Sequence, residues 1–340
     1  MGRTGAITPV ANLEPVLVAG TTVRRASLHN ADQITLLDIR LGDTIFVEKG
    51  GEIIPKVIGV DLTERSPDSM PLEYITYCPE CQTKLIRLEG EAKHYCPNQT
   101  GCPPQLKGSI IHFISRKAMN IDGLGEETVE LLFDRGLVRN IADLYDLKYE
   151  QLLQLERFAH KSAQNAIESI EKSKGVPFHR VLFGLGIRYV GETTARKLAS
   201  HFGLLDKIRT ATFETLLVVD EVGERIAKSI ISYFANPVNI NIVERLERAG
   251  LKMEAEQLTT RPEGQKLSGE SVVISGTFSR IGREELKELV ERYGGKILSS
   301  VTGNTTMLVA GENMGPAKFE KARGLGVKII SEEEFFNLIQ

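Results

Sequence analysis

Cys78-Pro-Glu-Cys81 and, after fourteen intervening residues, Cys96-Pro-Asn-Gln-Thr-Gly-Cys102 contain all four cysteines of a 340-residue chain. Four thiolates at C-x2-C and C-x5-C spacing suit one tetrahedral zinc ion. Asn98 and Gly101 supply the tight backbone that the second ligand loop needs. Two disulfides or four free thiols are the competing readings. Disulfides suit secreted domains, and this sequence shows no signal peptide and no cysteine elsewhere. His94 lies two residues before Cys96, but the four-cysteine set is complete without it. With every coordination position filled by protein, no place remains for a reactive water. The ion is therefore expected to fold this stretch and not to catalyse. The cluster also divides the chain: β-rich sequence precedes it, and helical repeats followed by a small α/β segment come after.

Upstream, residues 1–70 carry short β-type runs at Pro15–Val18, Thr22–Ser27, Thr44–Val47 and Ile53–Val60, with a helical piece at Ala31–Ile39. Lys49-Gly50-Gly51-Glu52 reads as a hairpin turn between the last two runs. Short strands with one inserted helical turn suit a small OB-fold β-barrel. Arg3, Arg24, Arg25, His29, Asn30 and Lys49 form a polar set able to face a phosphate backbone. Ile53 and Ile54 are adjacent, so alternation puts one of them on the outer surface as an apolar contact. The opening Gly2-Arg3-Thr4-Gly5 reads as the middle of a strand–turn, as in a piece of a longer protein.

Downstream, residues 71–110 complete the cysteine finger, and a helical run at Gln105–Met119 leads into residues 111–255. There Ile121-Asp122-Gly123-Leu124-Gly125 opens a frame that recurs at Leu155–Ala159, Ile187–Gly191 and Val219–Gly223. The frames end at 125, 159, 191 and 223, at intervals of 34, 32 and 32, the mark of a helical array. Four residues after each comes a small or branched residue, Val129, Ala163, Ala195 or Ala227, suited to close helix packing. The pattern fits four helix-hairpin-helix motifs. A glycine-rich hairpin exposes free amides at a helix N-terminus, and these hold a phosphate oxygen without reading bases. Gly123, Gly125, Gly191 and Gly223 are the candidate amide sites, helped by Lys161, Arg188, Arg196, Lys197, Arg225 and Lys228. The second frame has Arg157 and Ala159 at its glycine positions. A left-handed non-glycine costs on the order of 1 kcal/mol, so that hairpin is expected to be mainly structural. The bland alternative is a helical bundle whose glycines only make tight turns.

Taken by itself, the overall charge argues against a nucleic-acid partner, although an average can hide local patches. The chain has a net charge of −3, with 26 % charged and 41 % hydrophobic residues. Residues 111–255 count 20 Lys+Arg against 20 Asp+Glu. Nucleic acid must therefore be held by placed amides and local basic side chains, not by a global field. No apolar run approaches the ~20 residues of a membrane span. No membrane partner is expected, and the thiol usage favours a cytoplasmic setting.

Residues 256–264 read as a polar linker, and β and α segments alternate through 265–340. Strands are expected at Val272–Ser275, Lys296–Leu298, Met307–Ala310 and Val327–Ile330, with helices at Arg283–Tyr293 and Ala317–Leu325. Ser331-Glu332-Glu333-Glu334 is a capping box that starts a last helix. This order implies a parallel sheet flanked by helices.

Gly2–Ala11, Ala26–Asn30 and the stretch from Gly42-Asp43 to Ile53-Ile54-Pro55 resemble the OB-fold domain of bacterial NAD-dependent DNA ligases. Ser115–Gly125 is similar to that family's first hairpin segment, although Ala159-His160 departs from the Gly-Pro usual at its second. Gly294-Gly295 and the Thr306–Ala310 strand resemble a BRCT domain, which also ends these ligases. The resemblance implies a multidomain α+β chain: OB-fold barrel, four-cysteine zinc finger, helix-hairpin-helix array and α/β BRCT domain. It assigns Arg3, Thr4, Lys49, Ile53 and Ile54 to the DNA minor groove across a nick; Lys49 stands where many members have Arg. It also suggests Ser275-Gly276 and Lys318 as a phosphate site, against the plainer reading of a strand end and a solvated lysine. The family's nucleophilic lysine lies in K-x-D-G, which this chain lacks. The resemblance thus implies the C-terminal portion of a ligase, acting as a monomer beside an adenylation domain outside this chain, with NAD and Mg2+ used only by the intact enzyme. A self-sufficient, non-catalytic DNA-binding or scaffold protein is the alternative.

Overall fold

The structure is a computed structural model describing residues 1–18, 20–49, 55–255 and 266–339. It divides into two compact units, Met1–Ala255 and Glu256–Gln340. Ile53, Ile54 and the 256–264 linker lie outside the described residues.

The first unit opens with strands Val10–Val18, Thr21–Ser27, Ile45–Glu48 and Lys56–Val60 in one four-stranded sheet. Val10–Val18 pairs antiparallel with Thr21–Ser27, and Ser27 pairs parallel with Lys56. The first strand begins five residues before the expected Pro15. Its opening alternates, with Asn12 and Glu14 exposed and Ala11 and Leu13 packed inward, as a half-buried strand requires. Val23, Ala26, Leu28, Ile34, Ile39 and Val57 fill the small core. Asn30 caps helix Ala31–Leu36, its Oδ1 accepting Gln33 N–H at 2.9 Å.

Ala6–Ile7 leaves this sheet. It pairs antiparallel with His94–Tyr95, which pairs with Ile86–Arg87, so the finger's three-stranded sheet takes one strand from the chain's opening. Gly5 makes the crossing possible. Its φ is 78°, and a Cβ there would sit 2.5 Å from the Cys96 carbonyl oxygen that its backbone approaches.

Helix Pro103–Ile114 starts directly from Cys102 and ends before the expected Met119, where the chain turns at Ser115. Beyond it one continuous core runs from Ile110 to Leu251. Helices Glu126–Asp134, His160–Ser173, Glu192–Phe202 and Glu224–Ala235 begin one residue after each frame ends. Val129, Ala163, Ala195 and Ala227 are fully buried. Each returns its amide to the carbonyl four residues back, at Gly125, Ala159, Gly191 and Gly223. Ile121, Leu155, Ile187 and Val219, which open the frames, are buried too. The period in sequence is therefore a period in packing.

The second unit holds a parallel four-stranded sheet of Ser271–Ser275, Lys296–Leu298, Met307–Ala310 and Lys328–Ser331, in the spatial order fourth, third, first, second. Helices Arg283–Arg292, Pro316–Gly324 and Glu332–Ile339 connect and close it. The capping box forms: Ser331 N–H donates to Glu334 Oε2 at 2.7 Å and Glu334 N–H to Ser331 Oγ at 3.2 Å. Phe335 is fully buried in the core beneath.

Candidate metal centre and nucleic-acid interface

The ligand atoms of Cys78, Cys81, Cys96 and Cys102 all lie within 4.8 Å of one another. A tetrahedron with ~2.3 Å metal–sulfur bonds has edges of about 3.8 Å. Cys78 and Cys102 stand 3.8 Å apart, and Cys81 and Cys96 stand 3.5 Å apart. Backbone bonds fix the knuckles: Cys78 N–H to Thr83 O at 2.8 Å, Gln82 N–H to Cys78 O at 2.9 Å and Cys102 N–H to Asn98 O at 3.1 Å. Buried Gln105 donates to the carbonyls of Cys96 and Asn98 at 3.1 and 3.2 Å, tying the second knuckle to the helix behind it. Burial pushes the Cys96 thiol up to about 11 and raises Cys102 as well, whereas hydrogen bonds with Thr83 hold Cys81 at about 6. Buried thiols are costly to ionise alone, and a shared divalent cation removes that cost. The four sulfurs fit one structural zinc and leave no protein-free position.

The hairpins differ in ways the sequence does not display. Gly125, Gly191 and Gly223 are helix N-caps with φ of −91°, −84° and −88°, ordinary for any residue. A Cβ at each would meet nothing within 4 Å. Neither conformation nor internal packing explains these glycines, and the space before them is open to a ligand's close approach. Gly123 is different. Its φ is 83° and its back faces Ala166, so it is needed by the turn itself. The equivalent turn positions in the third and fourth hairpins, Tyr189 and Glu221, take φ of 66° and 63°. Arg157, in the second, is not among the left-handed residues. That hairpin escapes the expected strain by changing its turn. It is closed by side chains instead: Arg157 pairs with Glu127, Ser162 Oγ accepts Ala159 N–H at 2.9 Å, and Tyr149 Oη bonds His160 Nδ1 at 2.8 Å.

The basic candidates fall into two groups. Lys161 is exposed, and so are Arg24 and His29 on the barrel. Lys49 donates to Thr21 Oγ1 at 2.7 Å, and Thr4 is half-buried in a turn. Others are already engaged. Arg3 donates to Gly186 O at 3.2 Å and packs over Gly108 of the first helix after the finger. Lys197 pairs with Asp220 and Glu221 at the fourth hairpin, at 2.5 and 2.9 Å. Arg188 pairs with Glu91 of the finger at 3.0 Å and lies over the Tyr95 ring at 4.1 Å. Glu91 carries no motif that sequence reading could detect.

In the second unit, Ser275 is buried at a strand end, its carbonyl accepting Gly311 N–H at 2.8 Å. Gly276, with φ of 105°, lets the backbone cross Gly311, where a Cβ would sit 2.7 Å from the carbonyl carbon. A tight backbone crossing is thus a sufficient reason for Ser275-Gly276. Lys318 sits half-buried in the first turn of helix Pro316–Gly324. Glu332 accepts from Ser279 N–H and Oγ at 2.9 Å each and from Arg280 N–H at 2.8 Å, so these donors of the Ser279-Arg280 segment are satisfied within the domain.

Models of known families match along the chain. Residues 1–69 match the NAD-dependent DNA ligase OB-fold domain and 77–103 the NAD-dependent DNA ligase C4 zinc finger domain. Residues 115–172 match a SAM-like helix-hairpin-helix tandem, 180–243 the helix-hairpin-helix motif and 262–339 the BRCT domain. Proteins named DNA ligase are similar throughout. That of Flavobacterium johnsoniae is 58 % identical over 335 residues, 98 % of this chain and 50 % of its own length. Those of Parabacteroides distasonis and Phocaeicola vulgatus are 57 % and 55 % identical, covering 100 % of this chain and 51 % of their own length. The chain spans about half the length of these curated relatives. With two ligase-specific domains side by side and relatives matching along its whole length, the chain belongs to the NAD-dependent DNA ligase family and corresponds to the part that carries the OB-fold, cysteine finger, hairpin and BRCT domains.

Proposed function

We propose that this chain is the DNA-gripping, C-terminal portion of an NAD-dependent DNA ligase, clamping nicked duplex during phosphodiester bond formation in replication and repair. The observation that carries this reading is the trio of N-cap glycines, 125, 191 and 223, with ordinary φ and open space in front. Helix N-terminal amides bind phosphate oxygens through direct hydrogen bonds and the helix dipole. Such contacts read the backbone and not the bases, as sealing nicks in any sequence requires. The barrel contributes Arg24, His29, Lys49, Ile53 and Ile54 as a second grip, and the resemblance adds Arg3 and Thr4, which lie ahead of the strand that joins the finger sheet. In the BRCT domain, Ser275 and Lys318 remain the phosphate candidates.

The chain contains no K-x-D-G, so the adenylated lysine belongs to an adenylation domain outside it. NAD and Mg2+ act there, in the intact enzyme. This chain's share is orientation: holding the two ends of the nick in line, which converts a bimolecular encounter into a positioned one. The zinc is structural. The setting is the bacterial cytoplasm, and the working form is a monomer. No helix among the described residues is long and apolar enough to cross a membrane.

Reconstitution tests the reading. The purified chain is incubated with NAD, Mg2+ and nicked duplex, with and without a separately supplied adenylation domain. Sealing only in the presence of both is the expected result. Binding of nicked duplex with no sealing in either case would favour a stand-alone binding protein.

A further inference from the structure

The finger's own hairpin is tied at both ends, and neither tie belongs to the metal centre. At one end Arg87 makes a two-pronged pair with Asp32 of the barrel helix, Nη1 donating to Oδ1 at 2.8 Å and Nη2 to Oδ2. The same guanidinium donates through Nε to the Glu91 carbonyl at 2.8 Å, which braces the loop that presents Glu91. At the other end the Glu91 carboxylate accepts from Arg188 Nη2 at 3.0 Å and from the Tyr189 hydroxyl. Hydrogen bonds from the Tyr189 hydroxyl and, after it, the Tyr95 hydroxyl, with the positive charge of Arg188 nearby, hold the Glu91 carboxyl below the usual carboxylate range. The Glu91 side chain is 13 % exposed and that of Arg188 21 %. Tyr189 is the left-handed residue of the third hairpin, two positions before Gly191. Behind it, Ser229 Oγ of the fourth hairpin's helix donates to the Arg188 carbonyl at 2.7 Å. A continuous run of polar contacts therefore joins the barrel helix, the finger, the tip of the third hairpin and the helix of the fourth.

We propose that Glu91 is a positioning residue. It fixes the tip of the third hairpin against the finger and, through Arg87 and Asp32, against the barrel, so that two separate grips meet one duplex in register. The role fits the burial. A pair this shielded from water is costly to break from one side, because the remaining charge loses its partner. It also fits Arg188, whose guanidinium is held between Tyr95 and Tyr189, with ring centroids at 4.1 and 4.8 Å. This inference rests on the DNA-clamping reading for its consequence, but the tie itself is measurable without DNA.

The test uses the full chain carrying Glu91→Gln, Glu91→Ala and the charge exchange Glu91→Arg/Arg188→Glu. Without DNA, hydrogen exchange at amides 187–192 is expected to quicken about tenfold in Glu91→Gln. Exchange at 219–224 and the zinc content should stay unchanged, which global loosening would not allow. With DNA, the Kd for nicked duplex should rise about fivefold at an unchanged salt slope, and the charge exchange should recover most of it. Unaltered exchange at 187–192 would overturn the positioning role. Tighter binding with a steeper salt slope would also overturn it, since Glu91 would then be shielding Arg188 from phosphate. If the wild type fails to bind nicked duplex, the clamping reading falls, while the exchange data still decide the tie.

Discussion

The cysteine finger buries Ile7, Leu85 and three of its four cysteines, and little else. The hairpin array, beginning a few residues later, buries an unbroken run of apolar side chains from Ile110 to Leu251. A fully buried Leu or Phe contributes roughly 1.5–3 kcal/mol, so the array spreads its stability over many side chains. The finger concentrates its stability in one ion. This explains why the array tolerates a divergent repeat. The second hairpin has lost both frame glycines and changed its turn, yet Leu155 and Ala163 keep their buried places. The finger has no equivalent slack.

The largest expected effect is on the finger. Cys81→Ser, or chelation, should release the zinc and unfold residues 77–103, because in small zinc modules the metal supplies roughly 10–16 kcal/mol of apparent binding free energy. Metal analysis and protease mapping read this, with the helical circular dichroism of the array largely kept. A metal-free chain still protected over 77–103 would erase the contrast. The converse change is Ala227→Leu, which forces three extra carbons into a fully buried position. It should cost about 1–3 kcal/mol, seen as a lower Tm with zinc content intact.

A subtler test separates hairpins that share the same scaffold. Gly223→Val places a side chain in open space at an ordinary φ. Affinity for duplex should fall about tenfold, or ~1.4 kcal/mol, with the array still folded. Ala159→Gly in the second hairpin should leave affinity where it was. Unchanged binding in Gly223→Val would remove the fourth hairpin from the interface.

The smallest effect concerns acid. Arg65 donates to Asp43 through Nε and Nη2 at 2.9 and 2.8 Å and holds its carboxyl below the usual range. A depressed folded pKa contributes stability that is present above the unfolded value of about 3.9 and is lost as pH falls through the folded one. Barrel amides should therefore lose exchange protection progressively below about pH 4, and Asp43→Asn should flatten that dependence.

What could be read from sequence was local. Each cysteine pair, each five-residue hairpin frame and the Ser331 capping box depends on residues a few positions apart, and the frames and cysteine pairs then recur at fixed spacings; each has its expected geometry. Reading failed where two distant segments meet. No pattern links Ala6–Ile7 to His94–Tyr95, or Glu91 to Arg188, because a strand pair or an ion pair leaves no spacing rule. Backbone signs were also hidden. Tyr189 and Glu221 accept left-handed turns that glycine would take more cheaply, while Arg157 avoids one. Asn30 joined the phosphate-facing set by its polarity, yet its side chain is spent on a helix cap.

The strand borrowed from the opening of the chain sets an order of events. During synthesis Ala6 and Ile7 emerge about ninety residues before the segment they pair with. They cannot pair until His94 and Tyr95 have emerged, and closing that loop carries an entropic cost. Gly5 packs against Cys96, whose N–H donates to the Gly5 carbonyl at 2.9 Å, so the pairing and the second knuckle share one contact. A fragment cut at 71–110 would lack this edge and expose a bare strand. The finger is in this sense not a portable cassette but a clasp between the opening of the described chain and a segment about ninety residues on.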